Sequence, residues 1–446
     1  MRLDGELDRF GSVMRFLGVP FAEAPMGERR FNLPQARLPW AGVFAATHHG
    51  ATAQTAAPET SLIPEPAIPG DDYLTVDVFA PVRSEAKMPV MVWVHGGGYT
   101  AGSPASPWYD GAAFVEQGIV VVNVSYRLGV EGFGWIEGAP ANRGLHDVLE
   151  ALSWTRRNIA AFGGDPGCVT LAGQSAGGGI VLTLMSTPSA GTLFHRAAAL
   201  SPIVSDPDPA RAASWTAAVA DHLGVPPTVD GFGSRSRHEL ARAVDVVIDG
   251  GDAIRRVTEL VQSGMPVGPV LDGDLVRASA VATPTGSPGD SIPLLIGATE
   301  HELDPLVLQL VQAGLVDPAT VHASLGLRDT KIDLVTAAHQ VTQRIFHDPI
   351  DAVVANRAAA TAETFLYRFG WPSPVIGAAV HCIDVPFFFG NVGRVDAPLL
   401  GSPQPVALGD RVHDAAVHFI HTGRAPWEPS PGRGPAHTFT DEGEPA

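Results

Sequence analysis

The sequence predicts an α/β fold, a mostly parallel central sheet flanked by helices. Three observations carry this. The continuous apolar runs at 89–94 and 119–124 suit strands buried on both faces. Strand-like and helix-like stretches alternate between residues 119 and 185, the order of parallel strands joined by crossover helices. Of the 446 residues, 45% are hydrophobic, which is ample for a large buried core.

The elements follow in order. Residues 56–70 are rich in Pro and small side chains and read as a surface loop. Strands are expected at 74–79, 89–94 and 119–124. Leu145, Val148, Leu149, Leu152, Ile159 and Phe162 recur at helical spacing, and Gly163-Gly164-Asp165-Pro166 stops that helix. A short strand at 169–171 precedes a helix over 176–185. Helices at 209–223 and 238–247 are expected over the sheet, and strands return at 293–296 and 364–369. After Arg424 the chain is rich in Pro, Gly and charge, which predicts a loosely packed tail over 425–446.

Composition excludes several functions. Net charge is −18, from 47 acids against 29 bases, so binding to a nucleic-acid backbone is not expected. Lys87 and Lys331 are the sole lysines, and no run of about 18 apolar residues occurs, so no membrane contact is expected. Cys168 and Cys382 form no disulfide framework and lack zinc-site spacing. The first residues hold early acids and no apolar core, so no secretory signal is expected and a cytoplasmic location follows.

Ser175 is the candidate nucleophile. It stands between Gly173 and Gly177 where an apolar strand meets an apolar helix. A serine at such a sharp turn is exposed but strained, so its neighbours two residues away must be small. The following helix directs its positive end at developing negative charge. With 49 glycines in the chain, chance alone supplies roughly 0.3 such pentapeptides, so the strand-turn-helix context carries the assignment. His95-Gly96-Gly97-Gly98 follows the apolar run ending at Val94, where glycines let backbone N–H groups turn toward a substrate.

These stretches resemble the type-B carboxylesterase family, the carboxylesterase and cholinesterase branch of the α/β-hydrolases. Residues 162–177 resemble its serine signature throughout. So do 16–22, 27–31, 123–129, 142–147, 268–273 and 384–391 at other family segments, so the likeness runs from residue 16 to about 425. The resemblance implies one α/β-hydrolase catalytic domain over 1–446, with a helical insertion at about 203–290. It implies Ser175 as nucleophile and Gly97, Gly98 and Ala176 as oxyanion-hole donors. The segment 297–303 resembles the family's acid loop and points to Glu302, with Leu303 where the family has glycine and Glu300 and Asp304 as rivals. Chain order restricts the base to histidines after the acid. His381 lies in a stretch resembling the family's histidine loop. His322, His339, His413, His418 and His421 lie in helix-like stretches and read as surface or capping residues.

Departures from the family pattern are informative. Gln174 stands where the family usually has Glu, which should weaken binding of cationic substrates. Tyr73 replaces a half-cystine, in keeping with an intracellular protein. Pro202 stands where glycine is usual. Tyr99, Trp108, Gln174, Met265 and the phenylalanines Phe387, Phe388 and Phe389 are candidate pocket residues. Pro305 stands where a zinc motif starting at His301-Glu302 needs its second histidine, so no metal is expected, and acyl transfer needs no organic cofactor.

The resemblance therefore implies a carboxylic-ester hydrolase with a Ser-His-Glu triad, acting on small to medium apolar esters as a monomer or homodimer. Alternatives are an amidase, carbamate hydrolase or lipase with the same triad, or a non-catalytic binding protein on the same fold.

Overall fold

A computed structural model describes residues 2–8, 11–54, 62–83, 86–249, 253–282, 286–326, 332–430, 432 and 435–441. Its strands are β1 (Arg2–Leu7), β2 (Val13–Pro20), β3 (Val43–Ala46), β4 (Thr75–Pro81), β5 (Met88–Val94) and β6 (Val120–Val124). They continue as β7 (Gly164–Gln174), β8 (Arg196–Leu200), β9 (Leu294–Thr299), β10 (Thr364–Phe369) and β11 (His437–Phe439). These form one 11-stranded sheet ordered β11-β10-β9-β8-β7-β5-β6-β4-β2-β1-β3.

Every neighbouring pair from β11 through β6 is parallel. β4 pairs antiparallel with β6, and β2 antiparallel with β4 and β1. The sheet is thus the mostly parallel one expected, with an antiparallel flank that composition did not reveal. Strands β1 and β3 are short and largely exposed, so they lack the apolar runs that mark buried strands.

The apolar runs feed two cores. In β5, Val90, Val92 and Val94 join one buried cluster, while Met91 and Trp93 join the other. β6 alternates likewise, Val120, Val122 and Val124 against Val121. A strand buried on both faces carries apolar residues on both, and the one polar residue of β6, buried Asn123, is satisfied by donating its Nδ2 to Tyr109 O at 2.9 Å.

The predicted helix at 145–162 is an α-helix over Arg143–Asn158 followed by a 3₁₀ turn, Ile159–Phe162, and Gly163 ends it at φ 84°. The short strand expected at 169–171 is longer, because β7 already pairs with β5 at Gly164 across a register shift. Among the described residues, 203–290 carries the helices Pro209–Leu223, Val229–Gly233, Arg237–Asp249 and Ala253–Ser263 and no strand. Of the loop predicted at 56–70, residues 56–61 lie outside those described, and 62–70 form no regular element.

The tail differs from its composition. His437–Phe439 extends the sheet parallel to β10. Trp427 stacks on His437 with ring centres 4.3 Å apart, and Phe439 is buried against the sheet edge. Three aromatic rings supply apolar contact that the surrounding Pro and Gly conceal.

A buried ion pair ties loop to helix beside the sheet. Arg127 donates to both Asp147 carboxylate oxygens, at 2.8 and 2.6 Å, with side chains 1% and 0% exposed. The ends of β5, β7, β8 and β9 all lead into loops on the same side of the sheet, the edge where such folds build their sites.

Candidate active site

Ser175 follows β7 directly and holds φ 57°, ψ −121°, a conformation rare for a residue with a side chain. The turn is possible because the residues two positions away on either side, Gly173 and Gly177, lack side chains. A Cβ on Gly177 would lie 2.0 Å from Val94 O, and one on Gly173 would lie 2.6 Å from Gly177 C. The strain is held by backbone hydrogen bonds: Ser175 N–H donates to Leu200 O at 2.9 Å, and its carbonyl accepts from Gly179 and Ile203. The Ala176–Met185 helix then begins. Pro202 lies against Gly178, where a Cβ would sit 3.0 Å from Pro202 Cα. That close packing gives the unusual proline a place between β8 and this helix.

The glycine loop after β5 lies beside the serine turn, since Val94 and Gly173 are paired across β5 and β7. Gly97 has φ 104° and Gly98 φ 59°. A Cβ on Gly97 would lie 2.2 Å from Ala101 O. Among the described residues, the N–H groups of Gly97, Gly98 and Ala176 have no protein acceptor. Amide hydrogens left unpaired at a buried turn are suited to an incoming oxyanion. His95 is not a base here. It is buried, stacks on Tyr126 at 4.5 Å, and burial lowers its pKa to about 4, so it stays neutral.

The histidine arrives from the loop beyond β10. His381 Nε2 lies 3.0 Å from Ser175 Oγ, and His381 Nδ1 lies 2.5 Å from Glu302 Oε2. Two backbone bonds fix the loops in register. His381 N–H donates to Glu302 O at 3.1 Å, and His301 N–H donates to Ala379 O at 3.0 Å. Glu302 Oε1 accepts from Thr299 N–H at 2.8 Å, leaving Oε2 for the imidazole. The rivals are elsewhere. Glu300 is exposed, and Asp304 engages His301, His339 and Thr342.

Electrostatics set the imidazole's charge. Burial disfavours the His381 cation, but neighbouring Cys382 and Glu302 reverse the sign and hold its pKa well above 6.5. Burial pushes the Cys382 thiol up and keeps it neutral, so the charge that matters is that of Glu302. Asp384, buried and near Glu302, is pushed up to about 7, and Tyr367 O–H donates to it at 2.9 Å. Gln174 is fully buried, with Nε2 3.2 Å from His381 Nε2 and 3.1 Å from Cys382 Sγ.

Two neighbours of the histidine escaped sequence reading. Cys382 holds φ 71° beside His381, and its adjacency was the available signal. The Phe346 ring lies 4.9 Å from the His381 ring, and nothing in its local sequence marks it.

Several of the residues expected to line the pocket are packed in the core. Phe387 is fully buried against Phe369 and Trp371, with ring centres at 4.8 and 5.4 Å. Phe388 and Phe389 pack on Trp93. Trp108 is 1% exposed and donates its indole N–H to Asp396 O. These rings serve the core because their faces are already covered. Tyr99 is buried too, its hydroxyl donating to Ile203 O at 2.9 Å. Met265 is partly exposed, and its Cε would lie 3.3 Å from a Cβ on Gly98. It also borders a cavity of about 390 Å3 of mixed lining, Trp215, Ile248 and Leu260 standing with Arg211 and Glu259.

A sheet of this order, with a serine turn, a glycine loop and a Ser-His-Glu array at one edge, defines an α/β-hydrolase. The Carboxylesterase family pattern matches residues 2–314. The chain is 31% identical to the para-nitrobenzyl esterase of Bacillus subtilis over 433 residues, 92% of this chain and 86% of that one. It is 30% identical to the phenmedipham hydrolase of Pseudarthrobacter oxydans over 448 residues, with the same coverages of 92% and 86%. Among solved structures, a PNB esterase superposes with TM-score 0.81 at 29% identity, covering 96% of this chain and 91% of that one. A Geobacillus stearothermophilus carboxylesterase superposes with TM-score 0.82 at 28% identity, covering 98% and 94%. The chain belongs to the carboxylesterase family and is a serine hydrolase of carboxylic esters.

Proposed function

We propose that ester cleavage proceeds through an acyl-enzyme on Ser175, with His381 as general base and acid and Glu302 as its orienting carboxylate. The observation that carries this is the continuous Ser175–His381–Glu302 contact, at 3.0 and 2.5 Å. Ser175 Oγ attacks the ester carbonyl as its proton passes to His381 Nε2. The carbonyl oxygen takes up the negative charge and accepts from the Gly97, Gly98 and Ala176 N–H groups. Loss of one such donor costs about 3 kcal/mol of transition-state stabilisation. The C–O bond to the alcohol then breaks, and His381 gives the departing alkoxide its proton. Water, deprotonated by His381, attacks the acyl-enzyme, and Ser175 leaves reprotonated.

Substrates are small to medium apolar esters, a reading supported by the apolar Met265 side chain beside Gly98. Gln174 leaves the serine's immediate neighbour uncharged, which disfavours cationic esters. The unpaired cysteines Cys168 and Cys382 support a cytoplasmic setting. No described helix is long and apolar enough to cross a membrane.

The test is a chain-length series of p-nitrophenyl esters with wild type and Ser175→Ala. The expected result is turnover of acetate to octanoate in wild type, and loss of at least about 10³-fold in a folded Ser175→Ala protein. Comparable turnover by the variant would remove Ser175 from the mechanism. Preference for anilides over esters would mark an amidase.

A further inference from the structure

Two residues beyond the catalytic acid, a second cluster of side chains converges that the hydrolysis does not use. Asp304 begins the Asp304–Gln312 helix and is 8% exposed. Its Oδ1 accepts from the Thr342 hydroxyl at 2.5 Å. That bond occupies Oδ1 and leaves Oδ2 to other partners. Oδ2 is approached by two imidazoles at once, His301 Nδ1 at 2.8 Å and His339 Nδ1 at 3.0 Å. The three ligand-type atoms lie within 4.8 Å of one another, and the two histidines are 41% and 32% exposed.

We propose that His301, His339 and Asp304 form a binding site for a divalent transition-metal ion such as Zn2+. Two imidazole nitrogens and one carboxylate oxygen are the donor set that prefers Zn2+, Co2+ or Ni2+ over Ca2+ and Mg2+. Ligands about 2.05 Å from a tetrahedral ion stand about 3.3 Å apart, so the observed contacts need only a slight opening. On binding, each imidazole offers its Nδ1 lone pair to the ion and keeps one proton on Nε2, any second ring proton passing to solvent. The buried carboxylate, held by Thr342, is the orienting support such sites require. The half-exposed histidines give the ion its path in and leave a position for water.

The site has a structural consequence. His301 lies in the loop that carries Glu302, and its own N–H is bonded to Ala379 in the histidine loop. His339 belongs to the separate Leu334–Thr342 helix. An ion across them would clamp the acid loop to that helix. It is therefore a stabilising or regulatory ion and takes no part in the acyl transfer. A one-strand motif search cannot find it, because its two histidines are 38 positions apart in sequence (residues 301 and 339).

The test uses untagged, chelator-treated full-length enzyme. Zn2+ titration by calorimetry should give one saturable site per chain, Co2+ should give the visible bands of a nitrogen–oxygen site, and Zn2+ should raise the melting temperature. Ca2+ and Mg2+ should do neither. His339→Ala should weaken Zn2+ binding by at least about tenfold while its metal-free ester hydrolysis stays at the wild-type level. His301→Ala is the second variant, read by Zn2+ affinity alone. Absence of saturable binding to wild type, or unchanged affinity in both variants, would overturn the proposal. Either outcome leaves the hydrolytic reading untouched, since the binding readouts do not involve ester turnover.

Discussion

His381 Nε2 stands 3.0 Å from Ser175 Oγ across 206 residues of chain, and the same ring meets Glu302 on its other nitrogen. Each partner is delivered by the end of a different sheet strand or the loop beyond it. The acid is therefore testable by its contact. Glu302→Gln should lower kcat by about 10³- to 10⁴-fold, because the amide no longer balances the imidazolium or selects its tautomer. Exposed Glu300→Gln should leave kcat within about twofold. Steady-state kinetics on p-nitrophenyl butyrate separate the two.

The pH profile follows from the same contact. His381 must be neutral to accept the serine proton, and its pKa is held well above 6.5. In wild type, kcat/KM should rise with pH along a limb of slope one whose midpoint lies above 6.5. Without the Glu302 charge the imidazolium loses one of its supports against burial, so the residual activity of Glu302→Gln should titrate at lower pH than wild type. A limb that stays in place in the variant would contradict the assigned cause.

Much of this was legible in the sequence, and what was not has physical reasons. Ser175 and the Gly97-Gly98 loop were visible because strained turns and close backbone approach demand glycine at fixed positions. His381 and Glu302 were not marked by local chemistry, since any loop histidine or acid looks alike. The family resemblance singled them out, and the geometry brings them together. The aromatic residues were ambiguous in sequence for a related reason. Phe387 and Trp108 are large and apolar, a property shared by core and pocket, and the structure puts both in the core. Strands β1 and β3 were silent because exposed strands at the end of the sheet carry no apolar run.

Gln174 offers a charge test. Its side chain is buried beside His381. Gln174→Glu should raise the kcat/KM ratio of a choline ester to its neutral isostere by about 3- to 10-fold, through added negative charge near the serine. The same charge should move the His381 limb to higher pH. An unchanged ratio would separate Gln174 from substrate charge selection.

Stability should depend on the Arg127–Asp147 pair more than on any exposed ion pair. Both side chains are buried, so Asp147→Ala leaves a guanidinium without its counter-charge. The expected loss is about 3–5 kcal/mol, read as a lower denaturation midpoint. Breaking the exposed Arg344–Asp348 pair should cost under about 1 kcal/mol.

The proposed mechanism makes the Ser175 hydroxyl the atom on which every bond-making step converges. Stoichiometric treatment with a fluorophosphonate, followed by intact-mass and peptide mapping, reads that atom directly. One adduct per chain, confined to Ser175 and absent from Ser175→Ala, with loss of ester turnover in proportion to labelling, is the expected result. Full turnover by a completely labelled enzyme, or an inactivating adduct on another residue, would contradict it.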